Sequence, residues 1–207
     1  MKIIFFGNTE FGIPALNKIL SSKNHSLIEV VTNPDKKSGR GNKKSSTPIK
    51  KWALDKNIKV SEIDNLKNEN FINYLTDLEA DLFVVIAYKI IPFQIFSIPS
   101  FGTMNLHASL LPKYRGAAPI QRAILEGEKL TGLTTFIINR KIDDGKIILQ
   151  KEILISNDDN YTILSEKLSN AGANLVDDSL SHLDSNKPLR SQKQKPTYAK
   201  KIDKNEL

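Results

Sequence analysis

The sequence predicts an α/β fold in which a mostly parallel sheet carries helices on both faces. Short apolar segments typical of buried strands alternate along the chain with segments of helical spacing. The apolar run from Leu82 to Ala87 indicates a central strand that is buried on both faces. The strands predicted at 132–138 and 146–155 are joined by too few residues for a helical crossover, so they should pair antiparallel. The expected architecture is therefore Rossmann-like and doubly wound, with an antiparallel section near the C-terminal end.

The first half of the chain provides the parallel strands and their connecting helices. A short apolar strand at 2–6 precedes a glycine turn, Gly7 to Gly12, and then a segment with helical spacing of apolar residues. A second strand is predicted at 27–32. Thr47 is a good helix cap and Pro48 a good first helical residue, so a helix should begin there and end near residue 56. The remaining elements of this half are a strand at 58–60, a helix around 71–78 and the central strand at 82–87.

The second half contains the strand that carries Asn105, a helix at 118–126, the two antiparallel strands and a long helix at 161–183. In open α/β sheets, ligands bind outside the carboxyl ends of the strands. Asn105 lies near one such end. We expect one catalytic domain at 1–185, followed by a basic, linker-like tail at 186–207.

Composition excludes several classes of protein. The chain has 207 residues and no cysteine, which excludes disulfides and thiolate metal sites and fits a reducing cytoplasm. Its apolar runs are too short to span a membrane, and its N-terminus does not have the pattern of a signal peptide. The histidines lie far apart in sequence without ligand spacing. We therefore expect a cytoplasmic protein with no metal and no membrane attachment.

Positive charge is concentrated in one segment of this chain, whose formal net charge is +7. Residues 36–51 include seven basic residues and no acidic one, with Gly39 and Gly41 among them. Such a glycine-jointed segment could follow a phosphate backbone, or it could be an ordinary solvated loop. The tail at 186–207 is also basic and could be an RNA-contacting arm, a linker or a solvated end.

The segment Asn105-Leu106-His107 is the clearest indication of chemistry. In an extended segment side chains alternate between faces, so Asn105 and His107 should project side by side. The amide can donate a hydrogen bond to an oxygen that gains charge, and an imidazole can take a proton near neutral pH. That pairing suits acyl transfer. Taken alone, such a pair is more often two polar residues at a strand end that satisfy each other, and it is the flanking sequence that favours the chemical interpretation.

The context of this pair resembles the folate-dependent formyltransferases. The resemblance begins at residues 1–7, includes Gly39-Arg40-Gly41 and residues 105–123, and extends to Pro196-Thr197-Tyr198-Ala199-Lys200-Lys201. The run from Tyr114 to Ala123 is similar to the methionyl-tRNA formyltransferases in particular. That branch implies transfer of a formyl group to the amino group of methionyl-tRNA in translation initiation.

The resemblance implies three catalytic residues, which are Asn105, His107 and Asp143. In the family an aspartate that precedes a small residue and a glycine works with the Asn-x-His pair. Asp143 matches that pattern better than the adjacent Asp144. Asn105 would hydrogen-bond the formyl oxygen, His107 would accept or relay the proton of the attacking amine, and Asp143 would orient the imidazole and stabilise its charged form.

The resemblance also implies two ligands and one further domain. The co-substrate would be 10-formyltetrahydrofolate, and the partner would be aminoacylated initiator Met-tRNA. Relatives have a second, C-terminal β-barrel domain that also binds the tRNA. We expect this domain to be absent from this chain or to be supplied by a separate chain. The residues implied for folate are Ser109, Leu110, Leu111 and Pro112, and those for tRNA are Arg40, Lys43 and Lys44.

Two departures from the family pattern concern the folate site. Asn8 and Thr9 stand where the family usually has Thr-Pro, and Lys89 stands where a glycine is usual. We therefore expect cofactor affinity to differ in this chain. Two other functions stay open: a formyltransferase that acts on an amino-sugar nucleotide or a glycinamide ribonucleotide, and a tRNA- or folate-binding remnant that does not turn over.

Overall fold

The computed structural model describes residues 1–38 and 43–206. It confirms the predicted α/β fold, with seven strands in the main, mostly parallel sheet. The chain divides into two compact units, Met1–Met104 and Asn105–Leu207.

The first unit is built around four parallel strands in the order β6-β1-β2-β5. The side chains of β1, β2 and β6 are almost all buried, as in the run Ile3 to Phe6, whereas those of β5, the last strand in this order, are only partly buried or exposed. Two short strands, β3 and β4, pair antiparallel in a separate sheet. The strands are β1 (Lys2–Gly7), β2 (Ser26–Thr32), β3 (Lys36–Ser38), β4 (Lys43–Ser45), β5 (Val60–Glu62) and β6 (Leu82–Ile86).

Four helices accompany these strands, and one of them, α2, begins with the predicted cap. The Thr47 hydroxyl accepts the Lys50 N–H at 3.1 Å, as predicted for this helix start. The glycine turn before the first helix is required by packing, since a Cβ at Gly7 would lie 2.6 Å from the Phe5 ring. The helices are α1 (Ile13–Ser21), α2 (Pro48–Asp55), α3 (Glu69–Asp77) and α4 (Phe93–Phe96), with a 3-10 turn at Glu10–Gly12.

The third strand differs from its predicted position. The sequence predicts it at 58–60, whereas β5 begins at Val60. The Ile58 N–H is still bonded to the Ala53 carbonyl at 2.8 Å, and Asn57 has a positive φ of 55°. Residues 57 and 58 therefore close the end of α2 before the chain can extend.

The second unit contains the carboxyl half of strand β7 and two antiparallel strands, in the order β10-β9-β7. The antiparallel section is confirmed. A two-residue parallel pair, β8 with β11, joins the C-terminal segment to residues 115–116. The elements are β7 (Thr103–His107), β8 (Arg115–Gly116), α5 (Pro119–Leu125), β9 (Leu130–Ile137), β10 (Lys146–Leu154), α6 (Tyr161–Asp184), β11 (Tyr198–Ala199) and a 3-10 turn at Lys204–Glu206.

Candidate active site

Strand β7 presents Asn105 and His107 on the face opposite to helix α6. The side chain of Leu106 packs against α6 so closely that a Cβ at Gly172 would lie 2.7 Å from Leu106 Cδ2. Because side chains alternate along a strand, Asn105 and His107 project away from that helix. Asn105 is half-buried, while His107 is 6% exposed. Helix packing therefore fixes the orientation of both polar side chains.

The hydrogen bond of His107 identifies its basic nitrogen. Its Nε2 lies 2.8 Å from the carbonyl oxygen of Tyr114. A carbonyl only accepts hydrogen bonds, so we assign the proton of the neutral ring to Nε2. The second ring nitrogen, Nδ1, then has a free lone pair. It is this nitrogen that can take up a proton.

Asp143 lies beside that nitrogen. Its Oδ2 is 3.8 Å from His107 Nδ1 and accepts the backbone N–H of Gly116 at 2.8 Å. Asp143 has a positive φ of 50°, a left-handed conformation that aspartate tolerates better than most residues. A proton taken up at Nδ1 would therefore lie next to a carboxylate that a backbone donor holds in place.

The neighbouring Asp144 has a different partner. Its Oδ1 lies 2.6 Å from Arg115 Nη2, and the Arg115 side chain is 9% exposed. A buried guanidinium beside a carboxylate forms a strong, directional pair. Of the two adjacent aspartates, Asp143 is the one whose carboxylate lies beside His107 among the described contacts.

Tyr114, whose carbonyl accepts the hydrogen bond of His107, is itself held by several contacts. Its φ is positive, at 58°, and its N–H donates to Thr197 Oγ1 at 2.8 Å. Its hydroxyl lies 2.6 Å from Glu126 Oε2 and 2.8 Å from Glu128 Oε1 and can donate its proton to either. Burial, together with these carboxylates, raises the pKa of the Tyr114 hydroxyl, so it stays a donor at neutral pH.

The segment predicted to hold the folate is tied to strands β9 and β10. Thr134 Oγ1 donates to the Ser109 carbonyl at 2.7 Å and accepts the Leu111 N–H at 3.0 Å. Gln150 Nε2 donates to the Leu111 carbonyl and to Thr134 Oγ1, both at 2.9 Å. Sequence reasoning missed Thr134 and Gln150, because polar residues inside a strand leave no distinctive spacing. The four predicted residues therefore form a fixed segment.

Within this segment most side chains point into the protein. Ser109, Leu111 and Pro112 are buried, and the Ser109 hydroxyl donates to the Lys113 carbonyl at 2.6 Å. Leu110 is only half-buried, and it packs closely on β9, where a Cβ at Gly132 would lie 2.5 Å from Leu110 Cδ2. A ligand at this segment would therefore meet backbone groups and the Leu110 side chain.

The residues predicted to contact tRNA are only partly described. Arg40 lies outside the described residues, and Lys43 and Lys44 are described in strand β4 by their backbone alone. Next to the start of β3, Lys50 Nζ lies 2.8 Å from both Asp35 Oδ1 and Glu62 Oε1. Hydrogen bonds to these two carboxylates raise the pKa of Lys50.

The two departures from the family pattern have structural partners within the first unit. Asn8 Oδ1 accepts the Asn33 N–H at 2.9 Å and the Thr32 hydroxyl at 3.1 Å. Lys89 Nζ donates to the carbonyls of Ile63 and Asp64 at 3.0 and 2.6 Å. Burial lowers the pKa of Lys89. Asn8 thus joins the segments that follow the neighbouring strands β1 and β2, and Lys89 joins the segments that follow β6 and β5.

Two features are absent from the described residues. Over 1–38 and 43–206 there is no group of three or more histidine, cysteine, aspartate or glutamate residues that could hold a metal ion. In the same part of the chain, no helix has the length and apolar character needed to cross a membrane.

A half-buried amide beside an imidazole that faces a carboxylate, on an α/β sheet, is an arrangement suited to acyl transfer. The family described as Formyl transferase matches residues 1–180, and the chain belongs to that family. Among its curated relatives is the methionyl-tRNA formyltransferase of Thermodesulfovibrio yellowstonii, which is 51% identical over 175 residues, or 84% of this chain and 56% of the relative. The methionyl-tRNA formyltransferase of Caldanaerobacter subterraneus subsp. tengcongensis is 42% identical over 208 residues, or 99% of this chain and 67% of the relative. This chain spans between 56 and 67% of the length of the eight curated relatives compared.

Solved structures share the fold at lower identity. A phosphoribosylglycinamide formyltransferase from Bacillus halodurans superimposes with a TM-score of 0.74 at 21% identity, covering 89% of this chain and 96% of that one. A sugar 3N-formyl transferase, solved in the presence of dTDP and 5-N-formyl-THF, gives a TM-score of 0.70 at 22% identity, covering 100% of this chain and 71% of that one. At these identities the likeness concerns the fold alone.

Proposed function

We propose that the protein transfers a formyl group from 10-formyltetrahydrofolate to the amino group of methionyl-tRNA. The observation that carries the chemistry is the hydrogen bond from His107 Nε2 to the Tyr114 carbonyl, since it leaves Nδ1 basic beside Asp143. The choice of acceptor is supported by relatives named methionyl-tRNA formyltransferase, which are 40 to 51% identical to this chain. The folate supplies the formyl group when it is bound.

His107 is the proposed proton acceptor. An amine that forms a bond to the formyl carbon must lose a proton, and Nδ1 is the ring nitrogen with a free lone pair. The proton it takes up can then be delivered to the folate nitrogen as the carbon–nitrogen bond to the formyl group breaks. The proton lost by the amine thus ends on the folate nitrogen, and no covalent bond to the protein forms.

Asn105 is the proposed donor to the formyl oxygen. It projects from the same face of β7 as His107 and is half-buried, so its amide is accessible to a ligand. No described residue is recorded as a hydrogen-bond partner of its side chain. An amide aimed at an oxygen that becomes negative lowers the barrier, and removing such a donor costs roughly 100-fold or more in rate.

Asp143 is proposed to stabilise the protonated imidazole. Two opposite unit charges about 4 Å apart interact by about 4 kcal/mol at an effective dielectric constant of about 20. The distance between Asp143 Oδ2 and His107 Nδ1 is 3.8 Å, close to that separation. The hydrogen bond from the Gly116 N–H holds the carboxylate in this position. The charged form of His107 is therefore favoured when the proton is in transit.

The fixed segment from Ser109 to Pro112 is proposed to bind the folate. It follows His107 directly, and Thr134 and Gln150 prevent it from moving. A preorganised backbone can hold a ligand without the loss of entropy that ordering a loop would cost. The formyl group would then be presented next to the strand end that carries Asn105.

The basic segment from Lys36 to Lys51 is proposed to contact the tRNA, with Arg40, Lys43 and Lys44 as its principal residues. Its charge suits a phosphate backbone, and contacts of this kind weaken as the salt concentration rises, because the release of counterions into a more concentrated solution gains less free energy. We expect Arg40→Ala to raise the KM for tRNA and to flatten its salt dependence, while folate binding is unchanged. Unchanged tRNA kinetics would contradict this assignment.

The test of the function is direct. Purified protein is incubated with 10-formyltetrahydrofolate and charged initiator Met-tRNA, and formyl-methionyl-tRNA is quantified. His107→Ala and Asn105→Ala should each abolish most of the product. His182→Ala is the matched control. That histidine lies on α6, and its Nε2 is 3.3 Å from the carbonyl oxygen of Pro188. Equal product from wild type and His107→Ala would refute the mechanism.

The alternative acceptors are tested in the same assay. Glycinamide ribonucleotide and an amino-sugar nucleotide replace the charged tRNA at equal concentration. We expect no formylated product from either. Formylation of one of them, with none of Met-tRNA, would reassign the substrate but keep the chemistry.

A further inference from the structure

Gln192 makes four hydrogen bonds around the turn that carries Asp143. Its Nε2 donates to the carbonyls of Asp143 and Gly145, both at 2.9 Å. Its Oε1 accepts from Nε and Nη2 of Arg115, at 3.2 and 2.5 Å. A side-chain amide has two donor hydrogens and two acceptor positions, so this amide is fully used.

The chemistry of its partners allows only one orientation of this amide. Carbonyls accept and a guanidinium donates, so reversing the Oε1 and Nε2 positions would set oxygen against oxygen and nitrogen against nitrogen. Glutamine is thus the side chain that joins two acceptors on one side to two donors on the other. A glutamate of nearly the same shape would keep Arg115 but repel both carbonyls.

The turn at residues 143–145, to which Gln192 donates its hydrogen bonds, depends on contacts with other parts of the chain. Asp143 has a left-handed backbone, and a Cβ at Gly145 would collide with the Ile137 carbonyl oxygen. A strained turn that must hold one carboxylate at a fixed place persists only where its surroundings constrain it. Gln192 supplies two of these constraints from a segment nearly fifty residues further along the chain.

We propose that Gln192 is a positioning residue that holds the Asp143 carboxylate against the Gly116 N–H and beside His107. This role rests on the proposed function for its effect on catalysis, but the position of the carboxylate can be measured without turnover. Gln192 does not touch the reacting atoms in this scheme. It acts through the backbone of residues 143–145.

The first measurement is amide hydrogen exchange at Gly116, followed by NMR. The Gly116 N–H is bonded to Asp143 Oδ2, so its exchange reports whether the carboxylate is in place. Gln192→Met removes the four hydrogen bonds at nearly constant volume and should speed exchange at Gly116 about tenfold. Gln194→Met makes the same chemical change two residues away on an exposed side chain and should leave exchange unchanged.

The second measurement is the kinetic effect of the same variants. Gln192→Met should lower kcat about tenfold, a typical effect for a residue that orients a catalytic group, with the KM for folate changed less than twofold. In an Asp143→Asn background, Gln192→Met should lower kcat by less than a further twofold, because its effect passes through that carboxylate. Gln194→Met should leave kcat equal to that of the parent protein in both backgrounds.

Three results would overturn the proposal. They are wild-type exchange at Gly116 in Gln192→Met, an unchanged kcat in that variant, and the same tenfold loss with and without the Asp143 carboxylate. A wild-type protein with no turnover would instead contradict the proposed function. The exchange measurement would then decide the role of Gln192 alone.

Discussion

The backbone N–H of Gly116 donates to Asp143 Oδ2 at 2.8 Å. This bond connects strand β8 to the turn between β9 and β10, and it places the carboxylate 3.8 Å from His107 Nδ1. Gly116 can donate there because its φ of 122° is open only to glycine at little cost. Strand β11 lies next to Gly116, and Ala199 is its partner in the pairing of β8 with β11.

Gly116→Ala should therefore disturb both stability and catalysis. A Cβ at Gly116 would lie 2.7 Å from the Ala199 carbonyl oxygen, in addition to the strain of its positive φ. We expect a loss of about 3 kcal/mol in the free energy of unfolding and a large fall in kcat. Urea unfolding and the formylation assay measure the two effects.

Gly127→Ala is the matched control for that substitution. Gly127 also has a positive φ, of 68°, but a Cβ there would have nothing within 4 Å. Gly127→Ala should lower the free energy of unfolding by the backbone strain alone, about 1 kcal/mol, and leave kcat unchanged. If both variants lost the same stability and activity, the contact with Ala199 would be irrelevant.

The two adjacent aspartates should differ sharply. Asp143→Asn keeps an acceptor for the Gly116 N–H but removes the charge beside His107, so kcat should fall roughly 100-fold or more. Asp144→Asn removes the ion pair with Arg115, whose guanidinium Gln192 still holds, and should lower kcat by less than about tenfold. Single-turnover formylation rates distinguish the two. The reverse order of effects would transfer the catalytic role to Asp144.

Thr134→Val should destabilise the protein and weaken folate binding. It leaves the Ser109 carbonyl and the Leu111 N–H without their hydroxyl partner inside the protein, at a cost of about 3 kcal/mol. Thr131→Val is a control on the same strand. Thr131 Oγ1 is buried and has no partner among the described residues, so its removal should be neutral or stabilising. Thermal unfolding and folate titration measure both variants.

Asp159 should contribute to stability at neutral pH and lose that contribution in acid. The hydrogen bonds of its carboxylate to Lys167, and then to the Ser156 N–H, lower its pKa. The unfolded chain, with an aspartate pKa of about 4, takes up the proton first, so stability is lost as the pH falls from about 4 through the folded pKa. Asp159→Asn should therefore differ from wild type in stability at pH 6, and this difference should shrink as the pH falls below about 4.

Asp158→Asn controls for the change of net charge. Asp158 is the exposed neighbour of Asp159, and its replacement makes the same change of net charge. Urea unfolding at several pH values measures the three proteins. A constant difference between Asp159→Asn and wild type from pH 6 to pH 2 would contradict the assigned pKa shift.

Local patterns were sufficient to predict most of the fold. Apolar runs identified β1 and β6, and Thr47 with Pro48 identified the start of α2, because these signals depend on residues close in sequence. The predicted third strand was displaced by two residues. The closing turn of α2 at Asn57 depends on a left-handed conformation for which the sequence provides no glycine.

The candidate site was only partly accessible from sequence. Alternation along a strand was enough to place Asn105 and His107 together, and the resemblance to formyltransferases pointed to Asp143. The supporting contacts join residues far apart in the chain, such as Arg115 with Gln192. A glutamine in a basic, polar tail has no periodicity or spacing that predicts such a contact. Only the folded chain shows what it touches.

The short run from Tyr114 to Gly116 holds three different groups. The Tyr114 carbonyl binds His107, the Arg115 guanidinium binds Asp144 and Gln192, and the Gly116 N–H binds Asp143. Its length therefore cannot vary. A single residue inserted between positions 113 and 117 would shift every one of these partners out of register, so a scan of insertions along the chain should find activity lost there.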